Sequence, residues 1–142
     1  LEDETGQKKM YWEGKQAYFN DPDGNILEVL EREYIGENTP PLGWFDIGEI
    51  GLPVSNIKEA QKILSSYIDD IEKRDNDTFA FYGDPSGYLV LVKEGRNWFP
   101  TNRSAEINPM EISVLGKKNA EFKLLGYPYI FKIKKEVNID RS

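Results

Sequence analysis

The period of the hydrophobic pattern changes along residues 45–67, and each period predicts a different element. In residues 45–54 (FDIGEIGLPV), Ile50, Leu52 and Val54 alternate with positions that include Glu49. A period of two places successive side chains on opposite faces, so this segment predicts a β-strand with one buried face. We expect a helix to cover the face of Ile50, Leu52 and Val54, which leaves Glu49 on the other face.

Residues 56–67 have the spacing of an amphipathic helix. Glu59 follows Asn56 by three residues, which is the arrangement of an N-cap residue and a capping box. We therefore predict a helix from Asn56 to Tyr67. Its apolar stripe consists of Ile57, Ala60, Ile63, Leu64 and Tyr67.

One segment of the chain occurs twice. Residues 17–31 (AYFNDPDGNILEVLE) and 80–94 (AFYGDPSGYLVLVKE) align without a gap at an offset of 63. Each copy has an aromatic segment, a D-P-x-G turn and a second apolar segment; Pro presets φ in such a turn and Gly relieves its exit. Hairpins of this kind occur in many folds, but a gapless repeat of this length indicates two related modules, each closed by a β-hairpin.

The second copy closes a module of the order β-α-β-β-β, which a short strand at residues 68–73 completes. The first copy is expected to be incomplete, because Phe45 stands 39 residues before Asp84 whereas only 20 residues precede Asp21. We therefore expect the opening strand and helix of the first module to be missing from the N-terminus. The predicted organisation is the closing strands of a first module (1–34), a Pro- and Gly-rich linker (35–44), a second module (45–95) and a C-terminal extension (96–142). In the extension, strands are predicted at 110–115 and 127–134, around a polar or helical stretch at 117–125.

Charge and composition narrow the functional classes. The 142 residues include 18 Lys and Arg against 25 Asp and Glu, and the net charge of −7 opposes binding to nucleic acid or to anionic membranes. No apolar run approaches the ~20 residues of a membrane span. The absence of cysteine fits a reducing compartment, so we expect a cytoplasmic protein. Histidine is absent too, and any chemistry must therefore depend on carboxylates, Tyr, Lys or backbone groups.

The repeated phrases YFNDPDGNILEVLE (18–31) and FYGDPSGYLVLVKEG (81–95), together with EIGLPVSNIKEA (49–60), resemble the vicinal-oxygen-chelate superfamily of glyoxalases, bleomycin-resistance proteins and extradiol dioxygenases. The segment GRNWFPTNRSAEINPMEISVLG (95–116) resembles that of a bacterial subgroup with two modules and an extension. The resemblance implies an α+β fold in which tandem βαβββ modules form a curved, half-open, barrel-like sheet. The helix is then on the outer face, and a small-molecule pocket lies inside. The superfamily includes lyases, isomerases, dioxygenases and drug-binding proteins, so the fold leaves the function open.

The resemblance also implies positions for a divalent metal. One ligand in the superfamily is a carboxylate shortly after the D-P-x-G turn, where this chain has Glu28 in the first copy and Leu91 in the second. A second ligand lies on the opening strand, where Glu49 stands, and we expect Glu28 and Glu49 to point into one concave cavity. Carboxylates without imidazole favour Mg, Mn or Ca, and Ni and Zn are the other candidate ions. The alternative for either glutamate is a solvated sheet edge or a lysine partner.

Aromatic side chains supply a second set of candidate residues. The candidates to line a pocket for a flat, apolar ligand are Trp12, Tyr18, Tyr82, Trp98 and Phe99. The alternative is that these residues fill the core and cap the barrel. Tyr18 and Tyr82 hold near-equivalent places in the two hairpins, which favours a structural role for that pair.

Two functions from different classes follow. The first is a small-molecule-binding protein that holds an aromatic or drug-like ligand without ring-cleaving iron chemistry, which in this superfamily needs two histidines. The alternative is a divalent-metal-dependent lyase or dioxygenase whose remaining ligands lie in the missing N-terminal part. A third interpretation is a degenerate module kept for assembly. The expected partner is a small molecule, and residues 10–33 are expected to pair with the second module or with another copy of the chain in a homodimer.

Overall fold

The computed structural model describes residues 16–31, 47–70 and 74–136, and the chain divides into two compact units, residues 1–46 and 47–142. The described part of the first unit is a hairpin of β1 (Gln16–Asn20) and β2 (Ile26–Leu30). The second unit contains β3 (Glu49–Val54), α1 (Ile57–Leu64), β4 (Arg74–Asp75), β5 (Phe79–Asp84), β6 (Gly87–Lys93), β7 (Met110–Gly116), β8 (Ala120–Lys123) and β9 (Tyr129–Lys135). The described residues thus form an α+β structure of open sheets with one short helix.

Strands β3 to β6 form one four-stranded sheet in the order β3-β6-β5-β4. Strand β3 is parallel to β6, and the other neighbours are antiparallel. A parallel pair needs a crossover connection, which here contains α1. Residues 47–93 therefore have the predicted order β-α-β-β-β. The short strand is predicted at 68–73; residues 68–70 are not in a strand, residues 71–73 lie outside the described residues, and β4 begins at residue 74. The predicted linker, residues 35–44, lies outside the described residues.

Helix α1 begins as the sequence predicts and ends three residues early. Asn56 is the N-cap, and its side-chain oxygen accepts a hydrogen bond of 3.1 Å from the backbone N–H of Glu59. After Leu64 the chain closes in a tighter turn, in which the Tyr67 N–H donates to the Leu64 carbonyl at 2.8 Å and the Ser65 hydroxyl donates to the Lys62 carbonyl at 2.8 Å. The Tyr67 N–H thus bonds three residues back instead of four, which is the tighter turn that often ends a helix. No helix of the described residues is long and apolar enough to cross a membrane.

One apolar cluster holds the second unit together. The side chains of Leu52 and Val54 are fully buried, and Ile50 packs against the same cluster, which also contains Ile57, Ala60 and Leu64 of α1. This is the face that the alternation in the sequence assigns to the helix. Burial of each large aliphatic side chain stabilises the fold by about 1.5–3 kcal/mol. From β5 and β6 the cluster takes Ala80, Tyr82, Leu89 and Leu91.

The C-terminal extension forms a second sheet, in the order β7-β9-β8, that shares this core. Phe131 of β9 is fully buried and stacks on Phe122 of β8, and Phe122 stacks in turn on Tyr67 at 4.1 Å between ring centroids. The helix is predicted to lie on the outer face. The extension, however, packs against the same side of the four-stranded sheet. The predicted polar or helical stretch at 117–125 contains a strand instead. Its period of two places Phe122 inward and leaves Glu121 and Lys123 exposed.

A buried hydroxyl joins the two sheets of the second unit. Tyr129, which is fully buried, donates a hydrogen bond of 2.6 Å to the backbone carbonyl of Pro53 in β3. Burial raises the pKa of Tyr129 to about 12, because a phenolate is poorly solvated in the core. The neutral, donating form of the hydroxyl is thus the form that the folded state favours.

We predict that Tyr129→Phe lowers the free energy of unfolding by about 1–3 kcal/mol at neutral pH, because the Pro53 carbonyl loses a buried partner. The change should also flatten the loss of stability at high pH. Unfolded tyrosine ionises near pH 10 and folded Tyr129 near pH 12, so this residue's contribution falls between those values. Urea unfolding at pH 7 and at several values from 9 to 12 measures both effects. Tyr127→Phe, which removes an exposed hydroxyl bonded to Ser55, is the control with the smaller expected cost.

The two repeated segments both form hairpins, but their registers differ by one residue. In the first hairpin Asn20 pairs with Ile26. In the alignment of the two segments, Asn20 corresponds to Gly83 and Ile26 to Leu89. Gly83, however, pairs with Tyr88 and not with Leu89. The predicted equivalence of the two hairpins is therefore wrong in register. A one-residue shift exchanges which side chains share a face.

The loop residues explain the difference. In the second hairpin a two-residue turn is possible because Gly83 adopts a φ of +135°, and a Cβ at this position would collide with the carbonyl oxygen of Gly87. The first copy has Asn20 at the position of Gly83 and cannot adopt this geometry without strain. Its loop is wider, and Asp21 holds it by accepting hydrogen bonds from the backbone and side chain of Asn25 at 2.7 and 2.8 Å.

We predict that Gly83→Ala destabilises the chain by about 2 kcal/mol or more, because the new methyl group meets the Gly87 carbonyl in a backbone region that L-residues avoid. Gly87→Ala is the matched control. A Cβ at position 87 meets no atom within 4 Å, so this change should be within about 0.5 kcal/mol of neutral. Chemical denaturation of both variants checks the prediction, and equal stabilities would contradict the account of the turn.

Candidate ligand-binding face

The four-stranded sheet has a second face, on the side away from α1. Phe79 and Phe81 of β5 are opposite Val92 and Val90 of β6 in the register, and they alternate with Ala80 and Tyr82 in the core. Glu49 and Gly51 of β3 alternate in the same way with Ile50 and Leu52. Paired residues of neighbouring strands lie on the same side of a sheet. The register therefore places Phe79, Phe81, Tyr88, Glu49 and Gly51 on one face.

Three of these side chains form an edge-to-face aromatic series. The rings of Phe79 and Phe81 are 5.1 Å apart at 80°, and those of Phe81 and Tyr88 are 5.6 Å apart at 73°. This geometry directs the positive edge of one ring toward the negative face of the next. Phe81, in the middle, is 8% exposed, whereas Phe79 and Tyr88 are half-buried. The series thus offers partly accessible ring surface at both ends.

Trp98 completes this surface, which we call the aromatic face (Phe79, Phe81, Tyr88 and Trp98). Its ring lies against Gly51, where a Cβ would be 2.7 Å from the ring carbon Cη2. The indole can approach the backbone of β3 this closely only because position 51 has no side chain. The half-buried Trp98 therefore covers β3 on the side where Phe81 and Tyr88 lie.

The loop that carries Trp98 is held by its own hydrogen bonds. The Trp98 N–H donates to the Arg103 carbonyl at 2.8 Å, and Asn97 forms a bridge with Ser104. The Thr101 hydroxyl donates to the Trp98 carbonyl at 2.8 Å. The backbone around Trp98 is therefore held by hydrogen bonds within the loop itself. The loop, which contains Pro100, folds back over the sheet, because Trp98 lies against Gly51 of β3.

Arg96 brings a positive charge to one end of the aromatic face. Its guanidinium carbon lies 5.0 Å from the centroid of the Phe79 ring, in a cation–π arrangement. The side chain is half-buried, and desolvation lowers the pKa of Arg96 from its ordinary value. An arginine remains protonated at neutral pH in spite of such a shift, so the charge is permanent.

Glu49 lies toward the opposite end of the same face. It pairs with Tyr88, whereas Gly51, under Trp98, pairs with Val90, and Phe79, under Arg96, pairs with Val92. Each step of two residues along a strand covers about 6.6–6.8 Å. Three successive rows along β6 therefore contain Tyr88 with Glu49, Val90 with Gly51, and Val92 with Phe79. Trp98 lies over the middle row, Glu49 belongs to the row on one side, and Arg96 lies over Phe79 in the row on the other side.

The other predicted pocket residues have different positions. Tyr82 is in the core on the helix side, 2% exposed, with its hydroxyl 3.2 Å from the Ile68 carbonyl that accepts its hydrogen bond. Burial raises the pKa of Tyr82, as expected for a core tyrosine. Tyr82 thus has the core position that is the alternative for these aromatic residues, on the opposite side of the sheet from Trp98. Phe99 is 38% exposed beside Trp98, and Trp12 lies outside the described residues.

The predicted metal ligands belong to different units of the chain. Glu28, in the first unit, is half-buried and opposite Tyr18 in the hairpin register. Tyr18 accepts a hydrogen bond of 2.9 Å from the Gln16 side chain. Leu91, at the corresponding position of the second copy, is fully buried in the core. Among the residues that the structure describes, no three acidic, histidine or cysteine side chains lie close enough together to hold a metal ion. A metal bound by Glu28 and Glu49 stays a prediction.

Phe79, Phe81, Tyr88 and Arg96 are the residues of this face that the sequence reasoning missed. The alternation of FAFY (79–82) carried the signal, since Phe79 and Phe81 must be on the face opposite Tyr82 once Tyr82 is in the core. Arg96 carried no comparable signal, because the path of a loop depends on tertiary contacts. Neither the known protein-family models nor the curated protein sequences contain a match to this chain.

We predict that Gly51→Ala displaces the Trp98 ring, because the new methyl group would overlap it. Overpacking of this kind costs about 1–3 kcal/mol in unfolding free energy. In a Trp12→Phe/Trp44→Phe background Trp98 is the remaining tryptophan of the three in the sequence, and its fluorescence emission should shift to longer wavelength. The same background with Gly87→Ala should keep the original emission. An unchanged spectrum for Gly51→Ala would contradict the position assigned to Trp98.

Proposed function

We propose that this chain is a small-molecule-binding protein of the vicinal-oxygen-chelate type that holds a flat aromatic ligand against the aromatic face. The wider architecture in this proposal is two βαβββ modules that form a curved, half-open barrel. The β-α-β-β-β order of residues 47–93 and the hairpin at residues 16–30 support it. So do the D-P-x-G phrases in the sequence.

The observation that carries the proposal is the placement of Trp98 over Gly51, beside the edge-to-face series of Phe79, Phe81 and Tyr88. Binding sites for small molecules are lined mainly by apolar and aromatic side chains, with a few polar groups that fix orientation. The aromatic face has this composition, with Arg96 and Glu49 as the polar groups. A flat ring system would gain area and stacking geometry here that an aliphatic ligand would not.

Binding without chemistry is favoured by the residues that the chain contains. Histidine, the commonest general base and metal ligand, is absent from the sequence. The superfamily ligand position in the second copy is Leu91, whose side chain is fully buried and cannot bind a metal. A metal-dependent lyase or dioxygenase would need further ligands besides Glu28 and Glu49.

The test is binding of a neutral, flat probe, 2-naphthamide, measured by isothermal titration calorimetry on the full 142-residue chain. We predict that Trp98→Leu weakens binding by about tenfold or more, because stacking on an indole contributes about 1–3 kcal/mol. Leu115→Ala is the control, since Leu115 is 60% exposed on β7 and does not belong to the aromatic face. Equal affinity of the wild type and Trp98→Leu, or no binding to the wild type, would contradict the proposal.

A further inference from the structure

We propose that the ligand of the aromatic face is a planar aromatic anion, with a carboxylate bound by Arg96 and a ring stacked beside Trp98. This inference rests on the proposed function and adds the charge and the orientation of the ligand. It follows from the contacts of Arg96, from the row-by-row arrangement of the sheet and from the fixed path of the loop.

The first step concerns how Arg96 is held. The guanidinium carbon lies over the Phe79 ring, 5.0 Å from its centroid, and this cation–π contact restricts the position of the charged group. Five N–H donors lie in the plane of a guanidinium, and this fork matches the two oxygens of a carboxylate. A guanidinium loses less side-chain freedom per hydrogen bond formed than a lysine ammonium does. The contact with Phe79 thus prepares Arg96 to bind a planar anion.

The second step concerns the neighbouring ring surface. Arg96 and Trp98 belong to one loop, and two backbone hydrogen bonds of 2.8 Å, from Trp98 to the Arg103 carbonyl and from Ala105 to the Arg96 carbonyl, hold the main chain at both residues. Trp98 covers the row of Gly51 and Val90, and Phe79 belongs to the next row along the strands. One row corresponds to about 6.6–6.8 Å. A carboxylate attached directly to a one- or two-ring aromatic system spans this separation.

The third step gives the ligand a direction. Glu49 lies in the row beyond Trp98, on the side away from Phe79. A carboxylate placed at the Phe79 end lies beside the Arg96 guanidinium, whereas the polar residue at the other end is itself an acid. The net charge of −7 makes an anion-binding surface depend on such a local cation. The acid group therefore belongs with Arg96, and the ring extends toward Tyr88.

The test compares 2-naphthoate with 2-naphthamide, which has the same shape and no charge, by isothermal titration calorimetry on the full chain. The expected result is that naphthoate binds at least tenfold more tightly. Arg96→Gln should abolish the preference, while Arg96→Lys should retain part of it. Arg103→Gln removes an exposed arginine of the same loop and should leave the preference unchanged. Thermal unfolding of each variant verifies that it is folded.

Other outcomes separate the two proposals. Equal binding of naphthoate and naphthamide, with both lost in Trp98→Leu, would overturn the inference about charge and leave the aromatic site standing. A preference for naphthoate that persists in folded Arg96→Gln, or that disappears in Arg103→Gln, would also overturn the role of Arg96. Failure of both probes to bind the wild type would overturn the proposed function together with the inference.

Discussion

The parallel pairing of β3 with β6 determines how the rest of the second unit is arranged. Because the two strands run in the same direction, the chain must cross from one end of the sheet to the other, and it does so through α1. The helix and the C-terminal sheet together cover one face of this sheet, with Leu52, Val54 and Leu91 fully buried beneath them. The other face then takes the residues of opposite parity. A single strand pairing thus separates the side chains that pack against α1 from those of the aromatic face.

The C-terminal extension contributes to both sides of this sheet. Its strands β7 to β9 add Ile112, Phe131 and Ile133 to the core on the helix side. Its first residues, by contrast, form the loop that lays Arg96 and Trp98 over the opposite face. The extension is therefore part of the core and part of the candidate site at once. A βαβββ module by itself would have an incomplete core and a bare aromatic series.

Local patterns in the sequence predict the helix and most strands of the second unit. They do not predict features that depend on contacts between residues far apart in the sequence. The period of two in 45–54 and the capping pair Asn56 and Glu59 place β3 and the start of α1, because these signals act over a few residues. The difference in register between the two hairpins could not be predicted from the alignment of the two segments. It depends on the backbone conformation of Gly83, which Asn20 at the aligned position cannot adopt without strain. The sequence predicts part of the candidate site, since Trp98 is on the aromatic face. Tyr82 points into the core, because alternation along β5 places it on the side opposite Phe79 and Phe81.

The absence of a side chain at Gly51 allows the Trp98 loop to lie directly on strand β3. The contact between Trp98 and β3 requires no side chain on the strand, and the loop that supplies the indole is closed by backbone bonds of its own, including that between Trp98 and Arg103. Arg96 and Trp98, which the proposed ligand would contact, therefore stand on a main chain that is held by backbone hydrogen bonds and by the Thr101 hydroxyl, not by their own side chains. Substitutions at these two positions over evolutionary time would change the proposed specificity, while the packing beneath the opposite face would remain as it was.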